Sequence, residues 1–213
     1  MWKMLLPMTG EGFKVSISVF LITLVFSLPL GVVVAALRRS GSRLVQNLVA
    51  GYITLMRGTP LLLQLMFLFF GFPFVPVIGY AFGRYEAIAI AFVLNYAAYF
   101  AEIFRGGIQS IDIGQWEAGA VLGLTRFQTF TRIILPQVIK NVWTAVANEV
   151  ITLVKDTSLV YILGVSDLMK AAKSVSNTFS SFTPYLFIGA IYLLIIAILT
   201  KLLSYVEKKM EYY

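Results

Sequence analysis

The stretch that decides the fold runs from Ser110 to Gln137 and reads SIDIGQWEAGAVLGLTRFQTFTRIILPQ (the 110–137 segment). It carries charges, lacks an apolar run of membrane length, and contains several residues that start or stop helices. Asp112, or Ser110 itself, can cap a first short helix, because a short polar side chain accepts a hydrogen bond from a free backbone N–H. Gly123 can end that helix, since glycine tolerates the left-handed conformation that follows many helices.

A second helix is predicted to begin soon after Gly123. Thr125 and Gln128 form a capping box, in which each side chain accepts a hydrogen bond from the backbone N–H of the other residue. Pro136 then marks a boundary or the entry to the next helix, because proline has no backbone N–H. The helical period places an apolar stripe of Phe127, Phe130 and Ile134 opposite Arg126, Thr129 and Arg132. We therefore expect two short helices that either lie on lipid headgroups or contact a partner protein.

The composition is that of an integral membrane protein. Of the 213 residues, 59% are hydrophobic and 13% are charged, whereas soluble domains have about 45–50% and about 25%. The chain has no Cys and no His, which excludes disulfides, haem or iron–sulfur ligation by the usual residues, and most zinc sites. The net charge of +7 comes from Lys and Arg that cluster at the ends of apolar runs. Lipid phosphate is therefore a better counter-charge than nucleic acid.

Five apolar segments are long enough to cross a bilayer, which predicts an all-α polytopic membrane protein. They are Val15–Leu37, Leu44–Phe72, Tyr85–Phe104, Val142–Val165 and Tyr185–Leu203. Arg57 and Pro60 interrupt the second, which is either one broken span or an interfacial helix leading into a span. Before the last span, a surface-lying helix is predicted from the apolar stripe of Leu168, Ala172, Val175 and Phe179. We expect one domain over residues 1–213, without a cleaved signal peptide or an internal repeat.

The distribution of basic residues predicts the orientation. With five spans the two chain ends lie on opposite sides of the membrane. The side with the first loop, the 110–137 segment and the C-terminal tail carries ten of the seventeen Lys and Arg, and the other side carries five. Because cytoplasmic loops are enriched in Lys and Arg, we expect the N-terminus outside and both the 110–137 segment and the C-terminus in the cytoplasm.

Polar residues within the spans form a candidate ligand site. Ionisable side chains at bilayer depth are costly, so they usually face a partner or an aqueous cavity. The fourth span has a polar arc about 120° wide, the third has a polar stripe about 60° wide, and the second contributes one arginine. The candidate residues are Arg57, Asn95, Tyr99, Glu102, Asn148, Glu149, Thr152, Lys155 and Asp156. Acids outnumber bases by three to two in this set, which favours a cationic ligand. The alternative is that these residues pair with one another and only bind the helices together.

The 110–137 segment resembles the EAA loop of ABC importer permeases. The matching residues, in type and spacing, are Glu117, Ala118, Gly123, Ile133, Leu135 and Pro136. The resemblance implies that the segment docks into a cleft on an ATP-hydrolysing subunit. Gly119 departs from the motif, which usually has a second alanine there; glycine costs about 1 kcal/mol of helix propensity but keeps the residue small. The implied coupling residues are Glu117, Ala118, Gly119, Gly123, Leu135 and Pro136.

Other blocks resemble a narrower family, the uptake permeases for polar amino acids of the histidine, arginine and glutamine type. They include Arg57-Gly58-Thr59-Pro60-Leu61, Arg105-Gly106-Gly107-Ile108 and Lys155-Asp156-Thr157-Ser158-Leu159. The resemblance implies a multi-pass protein of the bacterial cytoplasmic (inner) membrane that works with a second permease subunit, identical or paralogous. It also implies two ATP-binding cassette subunits, which bind Mg-ATP, and an extracytoplasmic amino-acid-binding protein.

We therefore expect a permease subunit of an ATP-driven importer of polar, and in particular basic, amino acids. The sequence has no Gly-x-x-x-x-Gly-Lys-Ser/Thr phosphate loop, so the chain is expected to be no ATPase and to hold no cofactor or metal itself. Glu102, Glu149 and Asp156 would receive cationic groups of the substrate, and Arg57 or Lys155 its carboxylate. Two alternatives remain. The first is an ion-gradient-driven transporter that uses Glu102 or Asp156, although such transporters usually contain internal repeats. The second is a structural membrane subunit.

Overall fold

The computed structural model describes residues 1–211, which form nine α-helices and no β-strand. The helices are α1 (Trp2–Arg38), α2 (Arg43–Gly58), α3 (Leu61–Met66), α4 (Arg84–Gln109), α5 (Ile113–Val121), α6 (Arg126–Thr129), α7 (Leu135–Asp156), α8 (Leu168–Phe179) and α9 (Thr183–Glu211). A π-helical turn over Phe130–Ile134 joins α6 to α7, and a 3₁₀ helix over Thr157–Leu163 follows α7. The all-α prediction is confirmed for these residues. The last two residues of the predicted domain, Tyr212 and Tyr213, lie outside them.

Helix α4 is at the centre of the fold. It packs against α1, α2, α3 and α7, and its largest fully buried side chains are Phe92, Tyr96 and Phe100. Because lipid tails are as apolar as these side chains, close packing holds such helices together in a membrane, rather than the exclusion of water.

Small residues allow α1 to approach its neighbours closely. A Cβ atom on Gly12 would lie 2.6 Å from the carbonyl carbon of Asp167, just before α8. A Cβ atom on Gly31 would lie 2.8 Å from the Cβ of Phe100 on α4. Real Cβ atoms do not come so close to other carbons, so α1 can sit between α4 and α8 only because both positions are glycine.

The described helices include fewer candidate spans than the five predicted from the hydropathy of the sequence. Of the helices described, α1, α4 and α9 are long and apolar enough to cross a membrane, and α2 with α3 makes a fourth if that bent pair is one span. Helix α1 begins at Trp2, earlier than predicted, and continues through Pro29. The predicted bounds Val142–Val165 are wrong, because the α-helix runs from Leu135 to Asp156 and a 3₁₀ helix follows it. The five-span count and the orientation stay predictions.

The interrupted second segment is bent. Helix α2 meets the helical segment Leu61–Phe74, which begins with α3, at 105°. Thr59 between them is extended, with φ −123° and ψ 147°, and Pro60 precedes the first residue of α3. A residue before proline avoids the helical conformation because its backbone would clash with the proline ring. The Thr59–Pro60 pair therefore produces the bend.

Helix α8 confirms the helix predicted from the last apolar stripe. It packs between α1 and α9; of the stripe, Leu168, Ala172 and Val175 are buried and Phe179 is exposed. Asp167 caps this helix, since its carboxylate accepts hydrogen bonds from the backbone N–H groups of Met169 (3.0 Å) and Lys170 (2.9 Å). Asp167 is 0% exposed. Burial raises the pKa of Asp167 to about 6, although these backbone donors and the Lys170 ammonium oppose the shift.

Candidate functional site

A cavity of about 440 Å³ (the acidic cavity) lies between the α2–α3 bend, α4 and α7. Its charged lining residues are Glu149 and Asp156, both on α7, and none of the described residues lining it is basic. The other polar lining residues are Thr59, Asn95, Tyr96, Tyr99 and Thr152. The cavity thus brings together Asn95, Tyr99, Glu149, Thr152 and Asp156 of the residues predicted to bind a ligand. It presents two carboxylates to whatever enters.

Two hydrogen-bonded contacts shape the wall of the acidic cavity. The buried Tyr96 hydroxyl donates to Asp156 Oδ2 at 2.8 Å, which fixes the orientation of that carboxylate. Asn95 Nδ2 donates to the Met56 carbonyl (2.9 Å) and to Gln64 Oε1 (3.0 Å). Asn95 therefore ties α4 to the α2–α3 bend. Tyr96 is not among the predicted ligand residues, because an aromatic residue within an apolar segment gives no sign that its hydroxyl contacts an acid.

A second cavity, of about 480 Å³ (the arginine cavity), lies between the C-terminal end of α1, α2 and α4. Its charged lining residues are Arg38, Arg57, Glu102 and Arg105. Glu102 accepts hydrogen bonds from the Arg105 guanidinium with both carboxylate oxygens, one of them at 2.9 Å from Nε. Arg57 Nη1 is 3.9 Å from Glu102 Oε1. The cavity therefore has three cationic groups and one anionic group.

Arg57 and Glu102 are thus separated from the other predicted ligand residues. Both line the arginine cavity and neither lines the acidic cavity. The separation follows from the structure of the bend, since Arg57 and Gly58 face one cavity while Thr59 and Pro60 face the other. The two cavities are adjacent, because the Arg57 guanidinium lies 5.5 Å from the centre of the Tyr99 ring. Arg38 also lines this cavity, although it was not predicted as a ligand residue because it lies outside the apolar segments.

The predicted polar arc of α7 is divided between two surroundings. Glu149, Thr152 and Asp156 line the acidic cavity, whereas Asn148 and Lys155 are exposed and line neither cavity. Within residues 1–211, the ion pairs join Glu102 to Arg57 and Arg105, and Lys155 makes no ion pair with Asp156. Glu102 is therefore paired with basic residues, as the alternative interpretation predicts. Glu149 and Asp156 form no ion pair in the described chain.

The capping interactions predicted for the 110–137 segment are confirmed. Asp112, rather than Ser110, caps α5, because its Oδ1 accepts from the Gly114 N–H at 2.7 Å. Gly123 has a φ of +73°. In the capping box, Thr125 Oγ1 accepts from the Gln128 N–H at 3.2 Å, and Gln128 Oε1 accepts from the Thr125 N–H at 2.9 Å. These contacts set the turn between α5 and α6.

The predicted apolar stripe of the second helix is wrong in part. Phe127 is 75% exposed, and the polar Thr129 is 2% exposed beneath Gly119 of α5. The helix is oriented by its packing against α5, and a helical period cannot predict which of its faces meets that neighbour. Val121 and Leu122 are exposed apolar residues as well. Glu117, Ala118 and Gly123 are also exposed, whereas Gly119 is buried.

The 110–137 segment continues into α7 without a break. Leu135 and Pro136 are the first residues of α7, and the π-helical turn carries the helix from Thr129 into them. Of the two roles predicted for Pro136, a helix boundary or the entry to the next helix, the structure shows the entry. Proline is tolerated in the first turn of a helix, because its missing N–H is not needed there. A continuous helical path therefore connects the exposed Phe127 on α6 with Glu149 and Asp156 on α7.

Comparisons with known proteins identify the family. Residues 27–212 match the binding-protein-dependent transport system inner membrane component. The chain belongs to this family. The putative glutamine transport system permease protein GlnP of Rickettsia conorii is 35% identical over 201 residues, covering 94% of this chain and 91% of GlnP. The arginine transport system permease protein ArtQ of Bacillus subtilis is 34% identical over 207 residues, covering 97% and 94%.

Solved structures agree with this assignment. A chain in the crystal structure of an amino acid ABC transporter with histidines superimposes with a TM-score of 0.87 at 32% identity, covering 95% of this chain and 94% of that one. A chain of the methionine ABC transporter MetNI in an inward-facing conformation has a TM-score of 0.71 at 18% identity and shows the shared fold alone. The resemblance to ABC importer permeases is confirmed, and the chain is a multi-pass inner-membrane protein.

Proposed function

We propose that this chain is the permease subunit of an ABC importer that carries polar, and in particular basic, amino acids. The observation that carries the proposal is the acidic cavity, in which Glu149 and Asp156 have no basic neighbour among the described lining residues. Bare carboxylates in a low-dielectric cavity are costly, and a cationic ligand relieves that cost. The arginine and glutamine relatives and the histidine-containing structure support an amino acid as that ligand.

The chemistry of the cavity favours a guanidinium or ammonium group. A guanidinium can form two parallel hydrogen bonds to one carboxylate, and the ring of Tyr99 offers a face on which a cation is attracted. An acidic amino acid would bring a further negative charge to Glu149 and Asp156 and should be rejected. Glu102 is not part of this proposal, because Arg105 already occupies both of its oxygens.

The energy is expected to come from partner subunits. The sequence lacks a phosphate loop of the Gly-x-x-x-x-Gly-Lys-Ser/Thr type, so Mg-ATP would bind to two ATP-binding cassette subunits. An extracytoplasmic binding protein would deliver the amino acid. With five spans and the N-terminus outside, the 110–137 segment would lie in the cytoplasm within reach of the ATPase.

The exposed part of the 110–137 segment would be the contact with the ATPase. It presents the exposed apolar side chains of Val121, Leu122 and Phe127, and the exposed Glu117 lies on the same short helix as Val121. Movement of the ATPase would displace α5 and α6. Because α6 continues through the π-helical turn into α7, the displacement would reach Glu149 and Asp156 and change the access to the acidic cavity.

A second permease subunit would cover the outward face of α7. Asn141, Asn148 and Lys155 are exposed there and repeat at intervals of seven residues, so they share one side of the helix. Polar and charged side chains that face lipid are unfavourable, whereas they are common where membrane helices meet. A second copy of this chain, or a paralogue, would provide that helix.

The test is uptake into proteoliposomes that contain the permease, its ATPase and its binding protein. Arginine, lysine and histidine should be taken up in an ATP-dependent way, and glutamate should not. Glu149→Gln and Asp156→Asn should each reduce arginine uptake by about tenfold, since each removes one charge-assisted hydrogen bond. Preference for glutamate, or full arginine uptake in both variants, would show that these acids only bind helices together. Uptake that follows an ion gradient without ATP would assign the chain to the ion-driven class.

A further inference from the structure

The arginine cavity has three cationic groups but one carboxylate among its described lining residues. Glu102 is the one carboxylate that lines it, and Arg105 uses both of its oxygens. Arg57 approaches Glu102 only to 3.9 Å and makes no side-chain hydrogen bond within the part of the chain described. Arg38 uses one nitrogen, which donates to the Gln46 carbonyl at 3.1 Å. Two guanidinium groups, each with five N–H donors, therefore have most of their donors free beside one cavity.

The arginine cavity lies further along α4 than the acidic cavity. Along α4, Asn95 and Tyr99 line the acidic cavity, and Glu102 and Arg105, one and two turns further, line the arginine cavity. Helix α4 then ends at Gln109, just before the first helix of the 110–137 segment. The arginine cavity is therefore the one nearer to that segment, which is the cytoplasmic side in the orientation proposed above.

We infer that the arginine cavity is a carboxylate-binding site on the release side of the pathway, formed by Arg38 and Arg57. This inference rests on the proposed function, because it takes the carboxylate to be that of the transported amino acid. The charges of the two cavities are complementary: the acidic cavity lacks two positive charges and the arginine cavity lacks two negative ones. Arginine has two cationic groups and one carboxylate, so a molecule lying across Tyr99 has a partner for each of its charged groups. Bidentate recognition of a carboxylate is the geometry for which guanidinium groups are suited.

The experiment measures equilibrium binding to the complex of permease and ATPase in nanodiscs of phosphatidylcholine. The probes are radiolabelled arginine, glutamine and agmatine, which is arginine without its carboxylate. Arg38→Gln should weaken the binding of arginine and glutamine by about tenfold, since one charge-assisted hydrogen bond is lost, and should leave agmatine binding unchanged. Arg38→Lys, which keeps the charge but not the planar fork, should give an intermediate loss.

Arg39→Gln is the matched control. Arg39 follows Arg38 at the end of α1, is exposed and does not line the cavity, so this variant should bind all three compounds as the wild type does. Equal losses for arginine and agmatine in Arg38→Gln, or an equal loss in Arg39→Gln, would overturn the inference. So would the absence of arginine and glutamine binding in the wild type.

Two further measurements distinguish lipid phosphate from the substrate carboxylate as the ligand of this cavity, and glutamine from arginine as the substrate. If phosphatidylglycerol in the nanodisc competes with amino acids for the wild type but not for Arg38→Gln, the cavity binds lipid phosphate and the inference is wrong. If the wild type binds glutamine but not arginine, the basic-substrate proposal fails. The carboxylate site is then still tested by whether Arg38→Gln weakens glutamine binding.

Discussion

Gly119 of α5 lies directly against Thr129 of α6, closer than any other residue type would permit. A Cβ atom on Gly119 would be 2.5 Å from both Cγ2 and Oγ1 of Thr129. Thr129 is held in place, because its hydroxyl donates to the Thr125 carbonyl at 3.1 Å. The glycine that departs from the usual motif therefore has a structural reason: it allows the two short helices to pack around a threonine.

Gly119→Ala should push α5 away from α6. Overpacking of this kind costs about 1–3 kcal/mol, and the displaced α5 should fit its ATPase less well. We expect the ATPase activity stimulated by the loaded binding protein to fall several-fold, while the protein still inserts into the membrane. The measurement compares stimulated with basal ATP hydrolysis in proteoliposomes.

The double variant Gly119→Ala, Thr129→Ala should recover most of the coupling. Removing Cγ2 and Oγ1 leaves only the Cβ of residue 129, at 3.1 Å from the new methyl group. Gly106→Ala is the matched control, since a Cβ there meets nothing within 4 Å. Normal coupling in Gly119→Ala, or no recovery in the double variant, would contradict the role of this contact.

Gly123→Val should disrupt the turn between α5 and α6. The φ of +73° at this position strains a β-branched residue, whereas asparagine adopts such angles more readily. We expect Gly123→Val to abolish stimulated ATP hydrolysis and Gly123→Asn to retain most of it. If the two variants behave alike, the left-handed turn has no part in coupling.

The orientation can be tested by cysteine labelling, because the native chain has no cysteine. Asn177 on α8 and Ser42 before α2 are both exposed. With the N-terminus outside, Asn177→Cys should react with an impermeant maleimide added to intact cells, and Ser42→Cys should react only after lysis. The reverse pattern would place the 110–137 segment outside, away from any cytoplasmic ATPase.

The outward face of α7 should lie close to the second permease subunit. If that subunit is a second copy, Asn148→Cys should form a cross-linked dimer under mild oxidation in membranes. Leu194→Cys on α9, which is also exposed, should remain monomeric because α9 would face lipid. A cross-link at Leu194 and none at Asn148 would assign the subunit contact to α9 instead.

Asp167 should make the stability depend on pH. Its pKa of about 6 in the folded protein is above its usual value of 3.8, so the folded state binds the proton more tightly than the unfolded state. Stability should be highest below about pH 4 and fall as the pH rises toward 6, by on the order of 3 kcal/mol from a shift of about two pKa units. Melting temperatures of the purified protein between pH 4 and 7.5 measure this fall.

Asparagine at position 167 cannot ionise, so the Asp167→Asn variant should lose less stability than the wild type between pH 4 and pH 6. Asp112→Asn provides the comparison, because Asp112 also caps a helix but is exposed. The assignment to Asp167 is wrong if its asparagine variant loses as much stability between pH 4 and 6 as the wild type does.

Features that depend on neighbouring residues are predictable from the order of the amino acids. The cap at Asp112, the left-handed Gly123 and the Thr125–Gln128 box involve atoms within a few positions of one another, so residue type and spacing suffice. The hydropathy determined the membrane environment for the same reason, because it depends on the residue types within each run and not on their partners. Helix α8 followed from the period of its own stripe.

Which polar faces meet depends instead on the packing of helices that are distant in the chain. A helical period places Glu149 and Lys155 on one side of α7, but it does not show that Glu149 lines the acidic cavity while Lys155 is exposed and lines neither cavity. Arg57 and Glu102 joined Arg38 and Arg105 rather than Asp156, because the Thr59–Pro60 bend turns the chain between two cavities. Thr129 became buried because α5 carries a glycine above it. In each case the outcome depends on the direction in which one helix approaches another, and that direction is set by packing between residues far apart in the chain.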